Sequence, residues 1–113
     1  MQHKDSVILT KILNEIDIAI NMLNGINFIQ FDNDEILKRA VCMTVINIGE
    51  LVKSLSSDIR LQYNAIPWKA IAGFRDIAAH KYQTLHMEDV YKTVMEDFPE
   101  LKHNIENIKT DCN

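Results

Sequence analysis

The chain has 113 residues, of which 47% are hydrophobic, and it contains only three glycines and two prolines. This length and composition suit one globular domain over residues 1–113 with a single hydrophobic core. The formal net charge of −4 argues against a broad electrostatic grip on nucleic acid.

The cysteines and the hydropathy pattern bear on the cellular compartment. Cys42 and Cys112 lie far apart, a spacing typical of neither a disulfide framework nor a zinc site. No basic stretch followed by an apolar one opens the chain, and no apolar run approaches the roughly 20 residues that span a bilayer. We therefore expect a soluble, cytoplasmic protein with reduced thiols and no membrane segment.

The first half of the chain predicts two helices. Ser6 can cap the first, whose apolar residues recur every three or four positions up to Leu23, and Gly25 suits the turn after it. A linker with two phenylalanines should come next. The acidic residues 32–35 open a second, longer helix that runs to Leu55. Gly49 within it predicts close approach of another helix.

The second half predicts two or three further helices. Residues 56–66 are expected to form an irregular loop, and Pro67 suits the first position of a third helix. Thr84 can start the next helix, and Pro99 should break or kink the helical segment around it. The sequence therefore predicts an all-α fold, an up-down bundle of four to five helices joined by short loops.

Polar chemistry is concentrated in residues 75–82 of the third helix, where Arg75, Asp76, His80 and Tyr82 occur together. At 100° per residue, a helical wheel places Ile71, Phe74, Ile77, Ala78 and Tyr82 on one arc, which we expect to face the core. Small residues share the other side with the polar ones. This segment, residues 53–82, carries five basic and two acidic residues, a net charge of +3 between two acidic flanks.

The spacing within this motif predicts a local pair and a displaced arginine. Asp76 and His80 are four residues apart and can pair, which would orient the imidazole. Arg75 lies roughly 140° from His80 around the helix. One site that uses both side chains is easier to assemble where two copies of the helix meet across a two-fold axis.

Simpler interpretations of the same residues remain open. A helix-surface arginine is usually solvated or ion-paired, and a histidine near a helix end often interacts with the helix dipole. Tyr82 can be a packing residue. Asp76 and His80 have metal-ligand spacing, but a zinc site needs three or four ligands and the other histidines show no companion pattern. We therefore predict no metal and no cofactor.

The motif resembles the Arg-x4-6-His signature of HEPN domains, particularly those of HepT-like toxins. Other stretches fit the same pattern, so that the resemblance covers nearly the whole chain. They are Ile48-Gly49-Glu50, Ile66-Pro67-Trp68, Gly73-Phe74-Arg75-Asp76, Asp89-Val90-Tyr91 and Phe98-Pro99-Glu100-Leu101. The departure is Asp76, where asparagine is commoner in the family. Its negative charge beside a bound phosphate bears on the strength of RNA cleavage more than on the fold.

The resemblance implies the toxin of a prokaryotic toxin–antitoxin pair: a homodimer whose two motifs line a cleft and act as a metal-independent endoribonuclease. Arg75, Asp76 and His80 would be the catalytic residues, and RNA the substrate. A small nucleotidyltransferase would be the antitoxin partner, and Tyr82 the residue that it modifies with AMP. An alternative is a non-catalytic nucleotide- or partner-binding module regulated by that modification. A third is a structural bundle whose motif merely closes the helix.

Overall fold

The computed structural model describes residues 1–111, and the regular elements in this range are helices without any strand. In chain order the α-helices are α1 (His3–Met22), α2 (Phe28–Asp32), α3 (Glu35–Lys53), α4 (Ser57–Gln62), α5 (Trp68–His80), α6 (Met87–Lys92) and α7 (Phe98–Asp111). Four of them, α1, α3, α5 and α7, are long, and the other three are short connecting helices. The predicted all-α helical bundle is confirmed.

The core lies among the long helices. Helix α3 packs between α1 and α5, and α7 closes the other side of α1. The apolar stripes predicted for α1, α3 and α7 are buried, with Ile12, Ile48 and Ile105 fully inaccessible to solvent. Such burial is worth about 1.5–3 kcal/mol for each large side chain. Within residues 1–111 no helix is long and apolar enough to span a membrane.

Two segments predicted as loops are helical. The expected linker contains α2, which begins with a capping box: Gln30 N–H donates to the Asn27 side chain (2.8 Å), and Asn27 N–H donates to the Gln30 side chain (2.9 Å). The expected loop after α3 contains α4. Its first turn is fixed by Ser56, whose N–H and hydroxyl both donate to the buried Asp5 carboxylate. Capping groups thus fix helices too short to show a periodic pattern.

Predicted helix ends are partly corrected. Gly25 has φ +75°, as expected for the turn after α1. However, α1 begins at His3 rather than after Ser6, and α6 begins after His86 rather than at Thr84. Pro67 is the residue before α5 instead of its first residue.

Pro99 does not end the helix that contains it. Residues Thr93–Asp97 form a π-helical turn, and the helical path runs from Met87 through this turn to Asp111. A proline lacks the N–H of the helical ladder and its ring collides with the preceding turn. The wider turn immediately before Pro99 accommodates it, and such insertions are frequent at functional sites.

Candidate functional site

The site is built where α5 crosses α3. Gly49 of α3 is buried beneath Arg75 of α5, and a Cβ added to Gly49 would overlap the Cβ of Arg75 and lie 2.8 Å from its Cγ. The predicted close approach at Gly49 is therefore confirmed. Because this position carries no side chain, the backbone of α3 can come close enough to hold the motif helix at its arginine.

Arg75 is fixed between two carboxylates. Its Nε lies 2.5 Å from Glu50 Oε1, and its Nη1 donates a hydrogen bond to Asp76 Oδ1 at 2.9 Å. The contact with Glu50 is an ion pair without hydrogen-bond geometry, since the buried Nε makes no hydrogen bond with any described residue. The side chain is 22% exposed. The guanidinium is thus held in place while part of it reaches the surface.

Asp76 pairs with cations rather than with His80. Lys53 Nζ, from the last turn of α3, lies 2.7 Å from Asp76 Oδ1, and Arg75 donates to the same oxygen. The hydrogen bonds from Lys53 and then Arg75 lower the pKa of the Asp76 carboxyl. The predicted Asp76–His80 pair is wrong because a neighbouring helix supplies a stronger partner than the local i, i+4 spacing does.

His80 is the last residue of α5 and is exposed. Its ring makes no hydrogen bond or ion pair with any residue in the described range 1–111. Arg75 and His80 are separated by five positions, which is roughly 7.5 Å along the axis and 140° around it. The helix does extend to His80, so the predicted divergence of these two side chains holds. The imidazole is free to exchange a proton with a ligand.

Tyr82 lies beyond the motif helix. Lys81 has φ −132°, which ends α5, and Tyr82 begins a 3-10 turn, Tyr82–Thr84. Its hydroxyl donates to Glu35 Oε1 at 3.2 Å, and the Arg39 guanidinium lies 5.1 Å from its ring centroid. Burial and then the Glu35 carboxylate raise the pKa of the tyrosine. Tyr82 packs against the core as expected, but as a residue of this turn and not of the α5 arc.

The predicted core arc of α5 is also partly wrong. Trp68 and Ala78 are the residues of α5 that are buried, although the wheel placed Trp68 on the polar side. Ile77, expected in the core, is 48% exposed. The helix is rotated towards α3 so that the small residues around Arg75 make the contact. This rotation results from Gly49, which only the packing of two helices can reveal.

Four residues of α3 complete the site and were not singled out from the sequence. Glu50 and Lys53 contact Arg75 and Asp76, whereas Glu35 and Arg39 contact Tyr82. The positive charge of residues 53–82 is therefore offset at the motif, since Glu50 and Asp76 balance Lys53 and Arg75. The one signal in the sequence was the crossing point at Gly49, because residues one turn from it must lie beside the approaching helix.

Metal ligation has no candidate cluster in the described part of the chain. Residues 1–111 contain no group of three or more His, Cys, Asp or Glu side chains placed to hold an ion.

An all-α bundle that presents a fixed arginine and an exposed histidine on one helix has the features of a HEPN-like domain. A family model described as Ribonuclease HepT-like matches residues 12–108, most of the chain. The chain therefore belongs to the HepT-like ribonuclease family. Arg75, Asp76, His80 and Tyr82 all lie inside the matched range.

Relatives from bacteria and archaea agree with this assignment. A protein of Caldanaerobacter subterraneus subsp. tengcongensis, named as a candidate RNase, is 35% identical over 88% of this chain and 89% of its own length. One from Methanocaldococcus jannaschii, also named as a candidate RNase, is 36% identical over 91% and 89%. A probable ribonuclease HepT of Thermococcus cleftensis is 32% identical over 95% and 96%. No solved structure gives a significant match to the chain.

Proposed function

We propose that this single-domain chain is the endoribonuclease toxin of a toxin–antitoxin pair and cleaves RNA without a metal ion at a site shared by two protomers. The observation that carries the proposal is the pairing of a fixed Arg75 with an unpaired, exposed His80 on one helix. Membership of the HepT-like ribonuclease family and the names of the relatives support RNA as the substrate.

The residues suit cleavage by the ribose itself. In that reaction the RNA 2′-OH attacks the adjacent phosphorus, the P–O5′ bond breaks, and the leaving 5′-oxygen takes a proton. His80 can accept the proton from the 2′-OH or donate one to the leaving oxygen. Arg75 can donate to the phosphate oxygens on which charge develops. Asp76 contributes by holding Arg75 at 2.9 Å.

Cleavage of RNA in the presence of EDTA tests the chemistry. We expect His80→Ala to lower the rate constant by about 10²–10⁴, the usual contribution of a general acid or base. His86→Ala is the matched control, because His86 is also exposed but lies outside the motif. Equal rates for the wild type and His80→Ala, or no cleavage by concentrated wild type, would contradict the proposal.

Mixing two inactive variants tests the shared site. If each site takes Arg75 from one protomer and His80 from the other, a dimer of Arg75→Ala with His80→Ala contains one intact site. A reassembled equimolar mixture should then recover roughly a quarter of the wild-type activity. No recovery, although mixed dimers are detected by native mass spectrometry, would place both groups in one protomer.

The environment of Tyr82 favours a second candidate function, a module without robust cleavage that a nucleotidyltransferase regulates. The Tyr82 hydroxyl lies at the end of the motif helix beside Glu35, and the Arg39 guanidinium lies over its ring. A nucleotide attached there would add negative charge and bulk next to the motif. Mass spectrometry after co-expression with the cognate nucleotidyltransferase should then find AMP on Tyr82. Tyr91, whose hydroxyl donates to Ile26 C=O at 2.6 Å, should stay unmodified.

A further inference from the structure

The flank of α5 away from the motif borders an open groove. Two adjoining hollows form it: one of about 330 Å³ between α3, α5 and α7, and one of about 480 Å³ beside α6. They share Phe74, Thr93 and Asp97 as lining residues. On the helical wheel the groove-lining residues of α5 lie roughly 140° from the Asp76–His80 side. We call this feature the α5 groove.

The floor of the α5 groove is apolar and only partly covered. Ile71, Phe74 and Ile77 line it from α5, and Phe98 and Leu101 line it from α7. The three residues from α5 recur at helical spacing, yet none of them is fully buried and Ile77 is 48% exposed. A row of large apolar side chains in register is the pattern of a surface that another helix covers.

The wall of the groove carries the opposite character. Asp89, Asp97 and Glu100 line it and are exposed, whereas Lys92 is the lysine or arginine among the lining residues. The π-helical turn Thr93–Asp97 forms part of this wall and orients Asp97 into both hollows. An apolar floor with an acidic rim is complementary to an apolar stripe flanked by cations.

We propose that the α5 groove binds an amphipathic helix of a partner protein, with apolar residues at positions i, i+3 or i+4, and i+7, and lysine or arginine beside them. A second copy of this chain fits less well. The outer face of α1, which carries Lys4 and Lys11, exposes two large apolar residues, Val7 and Ile18. Because the groove and the motif lie on different flanks of α5, this binding is independent of RNA cleavage.

Two synthetic peptides test the proposal. Both have about 18 residues, or five helical turns, and the same leucine face, but one carries lysines and the other glutamates on its remaining positions. Titrated into the ¹⁵N-labelled protein, the lysine peptide should shift the amides of groove residues such as Phe74, Ile77 and Asp97. The glutamate peptide should bind at least about tenfold more weakly.

Variants separate groove binding from general charge attraction. Asp97→Lys combined with Glu100→Lys should reverse the preference between the peptides, and Ile77→Ser should weaken binding of the lysine peptide. Ile36→Ser is the control, because Ile36 is 82% exposed on the outer face of α3 and should leave binding unchanged. All four positions are exposed, so the folded spectrum away from each substitution should persist.

Three results would overturn the proposal. They are equal binding of both peptides, a preference that survives the double charge reversal, and shifts spread over the surface outside the groove. Concentration-dependent shifts of the groove residues without peptide would also overturn it, since a second copy of the chain would then be the occupant.

Discussion

The two flanks of α5 differ in how they are held. On the motif flank, Arg75 and Asp76 are fixed to α3 by ion pairs with Glu50 and Lys53. On the groove flank, Phe74 and Ile77 remain partly exposed with no helix over them. Tight packing on one line, through Gly49, thus lets a helix of 13 residues present a rigid polar side and an open apolar side at once.

The largest effect should come from Gly49→Ala, which tests that line of packing. The new Cβ would overlap Arg75, so α3 and α5 must separate. We expect a loss of about 1–3 kcal/mol in the free energy of unfolding, measured by urea denaturation, because overpacking outweighs the helix propensity gained. RNA cleavage should also fall, since Arg75 moves with the helix.

Gly73→Ala is the matched control on α5 itself. A Cβ at Gly73 meets no atom within 4 Å, so this variant should gain up to about 1 kcal/mol of stability. If Gly49→Ala were as stable as Gly73→Ala, the crossing at Arg75 would not be the fixed point of the site.

The contrast between the flanks also explains which predictions from sequence succeeded. The stripes of α1, α3 and α7 were correct because one face of each meets one core, so that periodicity alone identifies it. Helix α5 failed this test: Ile77 belongs to an apolar arc, but Gly49 draws the Arg75 side towards α3 instead.

The candidate site was predicted in its members and not in its contacts. Arg75, Asp76, His80 and Tyr82 stand close together in the sequence, whereas their partners Glu50, Lys53 and Glu35 are 25 to 47 positions away. Local spacing favoured an Asp76–His80 pair, and a long-range lysine took its place. Contacts of this kind depend on helix crossing, which residue patterns do not encode.

Charge removal should give a smaller, flank-specific effect. Glu50→Gln removes a carboxylate beside Arg75, so RNA phosphates compete less with the protein for the guanidinium. We expect tighter RNA binding by at most roughly fivefold, the range of exposed ion pairs, and less at high salt. Fluorescence anisotropy with a labelled oligoribonucleotide, in a His80→Ala background that prevents cleavage, measures it.

Glu100→Gln, which lines the α5 groove, changes the net charge by the same amount and is the control. Its RNA affinity should match the parent protein. An equal gain in both variants would show that net charge, and not the neighbour of Arg75, governs RNA binding.

The smallest effect concerns the carboxyl of Asp76. Lys53 is the main cause of its lowered pKa, so Lys53→Gln should raise that pKa towards the ordinary value of 3.8. Linkage sets the sign for stability: the folded state gains from this ion pair above the ordinary pKa and loses the gain as pH falls through the lower folded value. An NMR titration of the side-chain carboxyl in the wild type and in Lys53→Gln measures both pKa values. Lys92→Gln, on the groove flank, should leave the titration unchanged, whereas equal shifts in both variants would mean that Asp76 responds to overall charge rather than to its contact across the helices.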